Sequence, residues 1–102
     1  MDHGLVPAVQ EDCANALKIL ADDTRLAVVE QLMDGPMHVG DINETLGIEQ
    51  SLLSHHLRVL RDAGIVVSER DGKQVLYSLA KHVQGNRRGR AINLGCCKIS
   101  FD

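Results

Sequence analysis

The chain has 102 residues, a net charge of −3 and only two aromatic side chains of the Phe, Trp and Tyr type, Tyr77 and Phe101. That length suits one small domain with a thin core of Leu, Ile, Val and Ala, for which a dimer burying more apolar surface is the natural remedy. No apolar run is long enough to span a bilayer, and three cysteines without an export signal point to a reducing cytoplasm rather than a disulfide scaffold.

The acidic balance hides an uneven distribution. Residues 1–49 carry two basic and ten acidic side chains, a balance of −8, whereas residues 50–90 carry eight basic and three acidic ones, a balance of +5. A local positive face can therefore exist on an acidic chain. Ordinary scatter of surface charge is the plainer explanation, but the basic block coincides with the motif described below.

In chain order, Val9, Cys13, Ala16, Leu17 and Leu20 recur at helical spacing, which predicts a first amphipathic helix from about Ala8 to Leu20. Cys13 lies on its apolar stripe, where it is either a small buried hydrophobe or a sulfur ligand or redox thiol. Asp22 is a suitable N-cap for a second helix with Leu26, Val29, Leu32 and Met33 inward, stopped by Gly35-Pro36. Arg25, near its start, reads as a surface or ion-paired residue or as a phosphate contact. Val39, Ile42 and Leu46 predict a short third helix, with His38 at its opening.

The stretch from about Gln50 to Ala63 predicts the helix on which function turns. Leu53, Leu57 and Leu60 form its stripe, widened by Leu52, Val59 and Ala63, and Gly64 stands where a terminating glycine belongs. Gln50, Ser51, Ser54, His55, Arg58 and Arg61 lie mostly on the other side. Short hydrogen-bonding side chains followed by guanidinium groups suit a helix that enters a DNA major groove and holds flanking phosphates. His55 and His56 are neighbours about 100° apart on a helix, an arrangement that does not suit one shared metal ion. Ile65–Arg70 and Gln74–Leu79 then read as strands around Asp71-Gly72, a type I′ turn signal, with Arg70, Lys73 and Gln74 at the tip. Ala91–Phe101 reads as a further strand whose alternation slips at Cys96-Cys97, which suggests a bulge or bend. The predicted fold is mainly α with a small β-wing (α+β): a winged helix-turn-helix of four main helices, a β-hairpin and a C-terminal strand.

The run from Gln50-Ser51 through Ser54-His55-His56-Leu57-Arg58-Val59-Leu60-Arg61-Asp62-Ala63-Gly64 resembles the signature of the ArsR/SmtB family. Ala21-Asp22-Asp23-Thr24-Arg25-Leu26 and Val39-Gly40-Asp41-Ile42 resemble its second and third helices. The resemblance covers about residues 14–79 of a single domain spanning 1–102, leaving 80–102 as a divergent basic loop and cysteine-containing tail. It implies a homodimeric, cytoplasmic repressor that binds an imperfect inverted repeat in double-stranded DNA, with the first helix at the dimer interface. It also implies release of DNA when a metal, metalloid or other signal binds. The thiolate site that many metal-sensing members carry at the third helix is not matched, because His38 and Gly40 occupy those positions. The zinc site of the family's long final helix cannot be carried over either, since the tail from Ala80 offers only His82 before a glycine- and arginine-rich loop.

Cys13, Cys96 and Cys97 remain as candidate ligands for As(III) or another soft metal ion, in the manner of members that use an adjacent C-terminal pair plus a third cysteine. That third sulfur could come from the other subunit. Oxidation or persulfidation of these thiols is an alternative, and inert packing of the cysteines is another. A vicinal Cys96–Cys97 disulfide would be strained, because adjacent Cα atoms are only about 3.8 Å apart. The class alternative is a winged helix that contacts protein and not DNA. No P-loop, HExxH or CxxC motif is present in the sequence, so an enzyme is not expected.

Overall fold

The structure, a computed structural model, describes residues 8–85 and 90–101, and side chains from Cys13 onward. The apolar position expected at Val9 and the arginines Arg87 and Arg88 of the basic loop lie outside what is described. Four helices, α1 (Ala8–Leu20), α2 (Asp23–Leu32), α3 (Val39–Leu46) and α4 (Gln50–Asp62), are followed by the wing strands β2 (Val66–Asp71) and β3 (Gln74–Leu79). A two-residue strand β1 (Met37–His38) precedes α3, and β4 (Ala91–Asn93) and β5 (Lys98–Ser100) form a separate tail hairpin.

Each boundary has a local cause. Asp22 caps α2 by accepting from the Arg25 amide at 3.0 Å, and that donation holds its carboxyl below the usual range. Asn43 clasps the turn between α3 and α4 from both sides. Its Nδ2 donates to the Ile48 carbonyl at 2.9 Å, and its Oδ1 accepts from the Ile48 amide at 3.0 Å. Helix α4 ends in a Schellman motif: Gly64, at φ 76°, donates to the Arg61 carbonyl, and Ile65 donates to the Leu60 carbonyl. A residue with a Cβ would be strained at that φ.

The core lies where α2 and α4 cross, with Val28, Val29, Leu32, Ile42, Leu53, Leu57 and Leu60 buried. Ile65, Val66, Leu79, Val83 and Ile92 extend it under the wing and the tail. Leu52, expected to widen the buried face of α4, is instead 45% exposed. It lies about 100° round the helix from Leu53, its fully buried neighbour in the same turn, and so falls outside the packed stripe. Val59 and Ala63 are half-buried.

The wing is antiparallel, with Asp71 opposite Gln74, so the loop residues are Gly72 and Lys73. Among the described residues only Arg90 is a non-glycine with positive φ, whereas Gly72 has φ 64°. A positive φ confined to the first loop position is the pattern of a type II′ turn, one residue later than the Asp71-Gly72 type I′ turn expected from sequence. Strand β1 adds a third strand beside β3, pairing Met37 with Tyr77 and His38 with Leu76.

The tail departs most from expectation. The single strand over 91–101 is two short strands with Ile92 opposite Ile99, joined by a turn in which the Leu94 amide donates to the Cys97 carbonyl. Of the bulge or bend expected from the slip in alternation at the cysteines, the structure has the bend, sharpened to a chain reversal. The hairpin is seated on the segment after the wing by a bridge between Gln84 and Ile92 and a bond from the Asn93 amide to the Val83 carbonyl.

Truncating Leu57, 1% exposed, to Ala is expected to cost about 2–5 kcal/mol in urea denaturation, because the cavity opens between α2 and α4. Leu52→Ala should stay within about 0.5 kcal/mol of the parent. Comparable losses from the two would contradict the burial pattern.

Candidate nucleic-acid interface and sulfur cluster

The burial of Leu53, Leu57 and Leu60 leaves the opposite side of α4 in solvent. Gln50, Ser51, Ser54, His55, Arg58 and Arg61 are all exposed. Five of them, from Ser51 to Arg61, line one shallow groove together with Tyr77 from β3. Gln50 stands at the first residue of the helix, outside that lining. Tyr77 was not expected in the site: its position in β3 became meaningful only once the strand was folded back beside α4. Arg70, Lys73 and Gln74 are exposed at the far end of the wing. Among the described residues, Arg58, Arg61, Arg70 and Lys73 lie beyond 4 Å of any carboxylate, so their charge faces water. Arg90, counted in the basic block, is instead held by Glu30 at 3.3 Å and Asp34 at 3.4 Å.

The two adjacent histidines part company, as helix geometry requires. His55 is exposed, whereas His56 is buried and accepts at Nδ1 from Arg25 Nε at 3.1 Å. The same guanidinium donates to the Ile19 carbonyl at 3.1 Å. Arg25 thus ties the end of α1 and the start of α2 to the middle of α4, and its side chain is engaged inside the protein instead of reaching for phosphate.

His38 is the N-cap residue of α3 but makes no side-chain cap. Its ring bridges two carboxylates, with Nε2 2.8 Å from Asp71 at the end of β2 and Nδ1 3.5 Å from Asp41 in α3. The bond to Asp71, aided by Asp41, raises its pKa above the ordinary 6.5. The histidine thereby clamps the wing to the helix-turn-helix.

The three cysteines converge. Cys13 of α1 is disulfide-bonded to Cys96 of the tail turn, with Cα atoms 6.0 Å apart, and Cys97 Sγ lies 3.6 Å from Cys13 Sγ. The expectation of no disulfide scaffold is corrected: the tail hairpin folds back onto α1 and brings residues 83 positions apart into bonding range. The third sulfur comes from the same chain. All three sulfurs lie within 4.8 Å of one another. Sulfurs ligating one ion at about 2.3 Å stand roughly 3.8 Å apart in tetrahedral geometry, so in the reduced state this donor set fits a soft ion. Beside the cluster is a pocket of about 350 Å³ whose walls include Cys13 and Cys96 and, opposite, Ala63, Gly64 and Ile65 at the end of α4.

A helix-turn-helix with an exposed Ser/His/Arg helix face and a charged wing defines the class of winged-helix DNA-binding domains. The profile of the family described as bacterial regulatory protein, arsR family, matches residues 22–68. Over 79 residues the chain is 40% identical to the biofilm growth-associated repressor of Agrobacterium fabrum, covering 74% of this chain and 68% of that one. It is 48% identical over 66 residues to the HTH-type transcriptional regulator NmtR of Mycobacterium tuberculosis, covering 65% of this chain and 55% of NmtR. The solution structure of Mb0332 from Mycobacterium bovis, a homodimeric winged helix-turn-helix DNA-binding domain, superposes with TM-score 0.67 at 29% identity, covering 72% of this chain and 68% of that one. The chain belongs to the ArsR family. It spans about half the length of the first curated relatives it matches.

The clamp at His38 has a pH signature. A raised histidine pKa contributes stability that is fully present below the unfolded value near 6.5 and is lost as pH rises through the folded midpoint. The His38 ring proton should titrate in NMR with a midpoint above 6.5, moving down towards it in Asp71→Asn. An unchanged midpoint in that variant would rule the clamp out.

Proposed function

We propose that this chain is a homodimeric transcriptional repressor that binds an imperfect inverted repeat in double-stranded DNA and acts as a single winged-helix domain. The observation that carries the reading is the two-faced α4, with Ser51, Ser54, His55, Arg58 and Arg61 gathered on its solvent side. Gln50, Ser51, Ser54, His55 and Arg58 read base edges, where bidentate contacts discriminate by about 1–3 kcal/mol each. Arg61, Arg70, Lys73 and Gln74 hold sugar-phosphate and set position. The homodimeric relative supports pairing of two copies, as does Leu17 on α1, an apolar side chain left 43% exposed in the single chain. Two recognition helices would then enter successive major grooves about one helical turn apart. The family's regulatory role supports a non-enzymatic, cytoplasmic protein. No described helix is long and apolar enough to cross a membrane.

The sulfur cluster is the switch in this reading. When reduced, Cys13, Cys96 and Cys97 would hold As(III) or another soft ion, which would link α1 to the tail through three thiolates. The shared pocket wall at Ala63, Gly64 and Ile65 supports transmission of that link to the end of the recognition helix. The Cys13–Cys96 disulfide favours a second reading, in which oxidation makes a similar link without a metal.

Binding is tested by fluorescence anisotropy on duplex DNA from upstream of the gene. Arg58→Ala should weaken specific binding by about 1–3 kcal/mol, while Lys73→Ala should weaken specific and nonspecific binding alike and reduce the salt slope by about one unit for each subunit. Binding with no salt slope would favour a protein-contact module instead. For the effector, arsenite should bind the reduced chain with a thiolate absorption change and lower DNA affinity roughly 5- to 150-fold, the usual span of allosteric coupling. Both effects should vanish in Cys13→Ser. An absorption change that persists in that variant would place the metalloid elsewhere.

A further inference from the structure

Cys97 has no part in the disulfide, yet its sulfur is in contact with one of the disulfide's two sulfurs. We infer that Cys97 is an internal nucleophile for the Cys13–Cys96 bond, and that the oxidised chain exchanges between two disulfide isomers sharing Cys13. The inference rests on reading this cluster as the switch of the repressor only for its consequence; the chemistry stands on the closeness of the three sulfurs and on a turn of the tail that brings Cys97 into line.

Thiol–disulfide exchange proceeds by attack of a thiolate on a disulfide sulfur. Cys97 gives its proton to solvent, the tail turn swings its sulfur, 3.6 Å from Cys13 Sγ but to one side of the disulfide, into line with the bond that breaks, and the thiolate attacks Cys13 Sγ. A Cys13–Cys97 bond forms as the Cys13–Cys96 bond breaks, and Cys96 leaves with the electron pair as a thiolate, to be protonated by solvent. One disulfide and one thiol stand on each side of the reaction, so no oxidant or reductant is consumed. Attack on Cys96 is unproductive, because a bond between adjacent residues requires Cα atoms at about 3.8 Å, below the usual disulfide range. Cys13 is therefore the hub, and the two tail cysteines are alternates.

The exchange changes what the cluster presents. Cys97 is half-buried and Cys96 is exposed, so the second isomer releases a free thiol at the more open position, bordering the pocket shared with the end of α4. The tether between α1 and the tail also moves by one residue. The residues that must adjust are those of the tail turn, where Gly95, at φ 90°, permits a backbone that side-chain-bearing residues resist.

The test is disulfide mapping on the oxidised full chain, quenched in acid, with the free thiol alkylated under the quench. Cleavage after Lys18, Arg90 and Lys98 leaves Cys13 on one peptide and Cys96 with Cys97 on another, and fragmentation locates the label. The expected result is label on both Cys97 and Cys96 in wild type, with Cys96→Ser and Cys97→Ser each still forming a bond to Cys13. Label confined to Cys97, or a Cys96→Ser chain that stays reduced under the same oxidant, would overturn the inference. Anisotropy on duplex DNA keeps the two readings apart. If both single variants bond to Cys13 but oxidation leaves DNA affinity unchanged, the exchange stands and the switch reading fails.

Discussion

Everything else in the molecule depends on the packing of one side of α4 against α2. Leu53, Leu57 and Leu60 meet Val28, Val29 and Leu32 with almost no residual exposure, and a helix so anchored can rotate very little. The orientation of the opposite side follows from that constraint. Ser54, His55 and Arg58 face solvent because the residues one step away on the helical wheel are committed to the core. The polar surface proposed to read DNA is thus, in a domain with so few aromatics, a by-product of aliphatic packing, and its precision is that of the core beneath it.

Three polar ties refine what the core leaves adjustable. Arg25 crosses from the α1–α2 junction to buried His56, Asn43 clasps the turn that feeds α4, and His38 fastens the wing to α3. The first lies at the edge of the core, where a hydrogen bond left unmade costs more than it does in water. The last is open to solvent and responds to pH. At the far end of α4, the sulfur cluster and the Schellman turn face one another across a single pocket. The disulfide that links α1 to the tail therefore lies beside the end of α4, across one pocket from it.

How far the sequence disclosed this structure follows the range of each signal. The helix limits, the Asp22 cap, the glycine after α4 and the wing strands are written in residues within a turn or two of one another, and all were legible. Strand β1 was not: two residues carry no period, and they become a strand only because β3 lies beside them. The wing turn was displaced by one residue because Asp-Gly is a common type I′ pair, yet here Asp71 is held in register by Gln74 and in place by His38. In the tail, alternation on either side of Cys96-Cys97 looked alike whether the chain bent or reversed, and the pairing of Ile92 with Ile99 decides it. The Cys13–Cys96 contact spans most of the chain, so no local pattern could announce it. The three cysteines were identifiable as one candidate ligand set; that they meet within one chain, through a tail hairpin and a disulfide, was not.

The central claim is that the exposed side of α4 and the tip of the wing meet DNA while the opposite side of the molecule does not. The most direct measurement is a residue-resolved NMR titration of the reduced chain with duplex DNA carrying the upstream inverted repeat. The account predicts amide shifts concentrated on Gln50, Ser51, Ser54, His55, Arg58 and Arg61 and on Arg70 to Gln74, with α2 and the tail hairpin little changed. Shifts centred on α1 and the tail, or no shifts at DNA concentrations that saturate other members of the family, would contradict it.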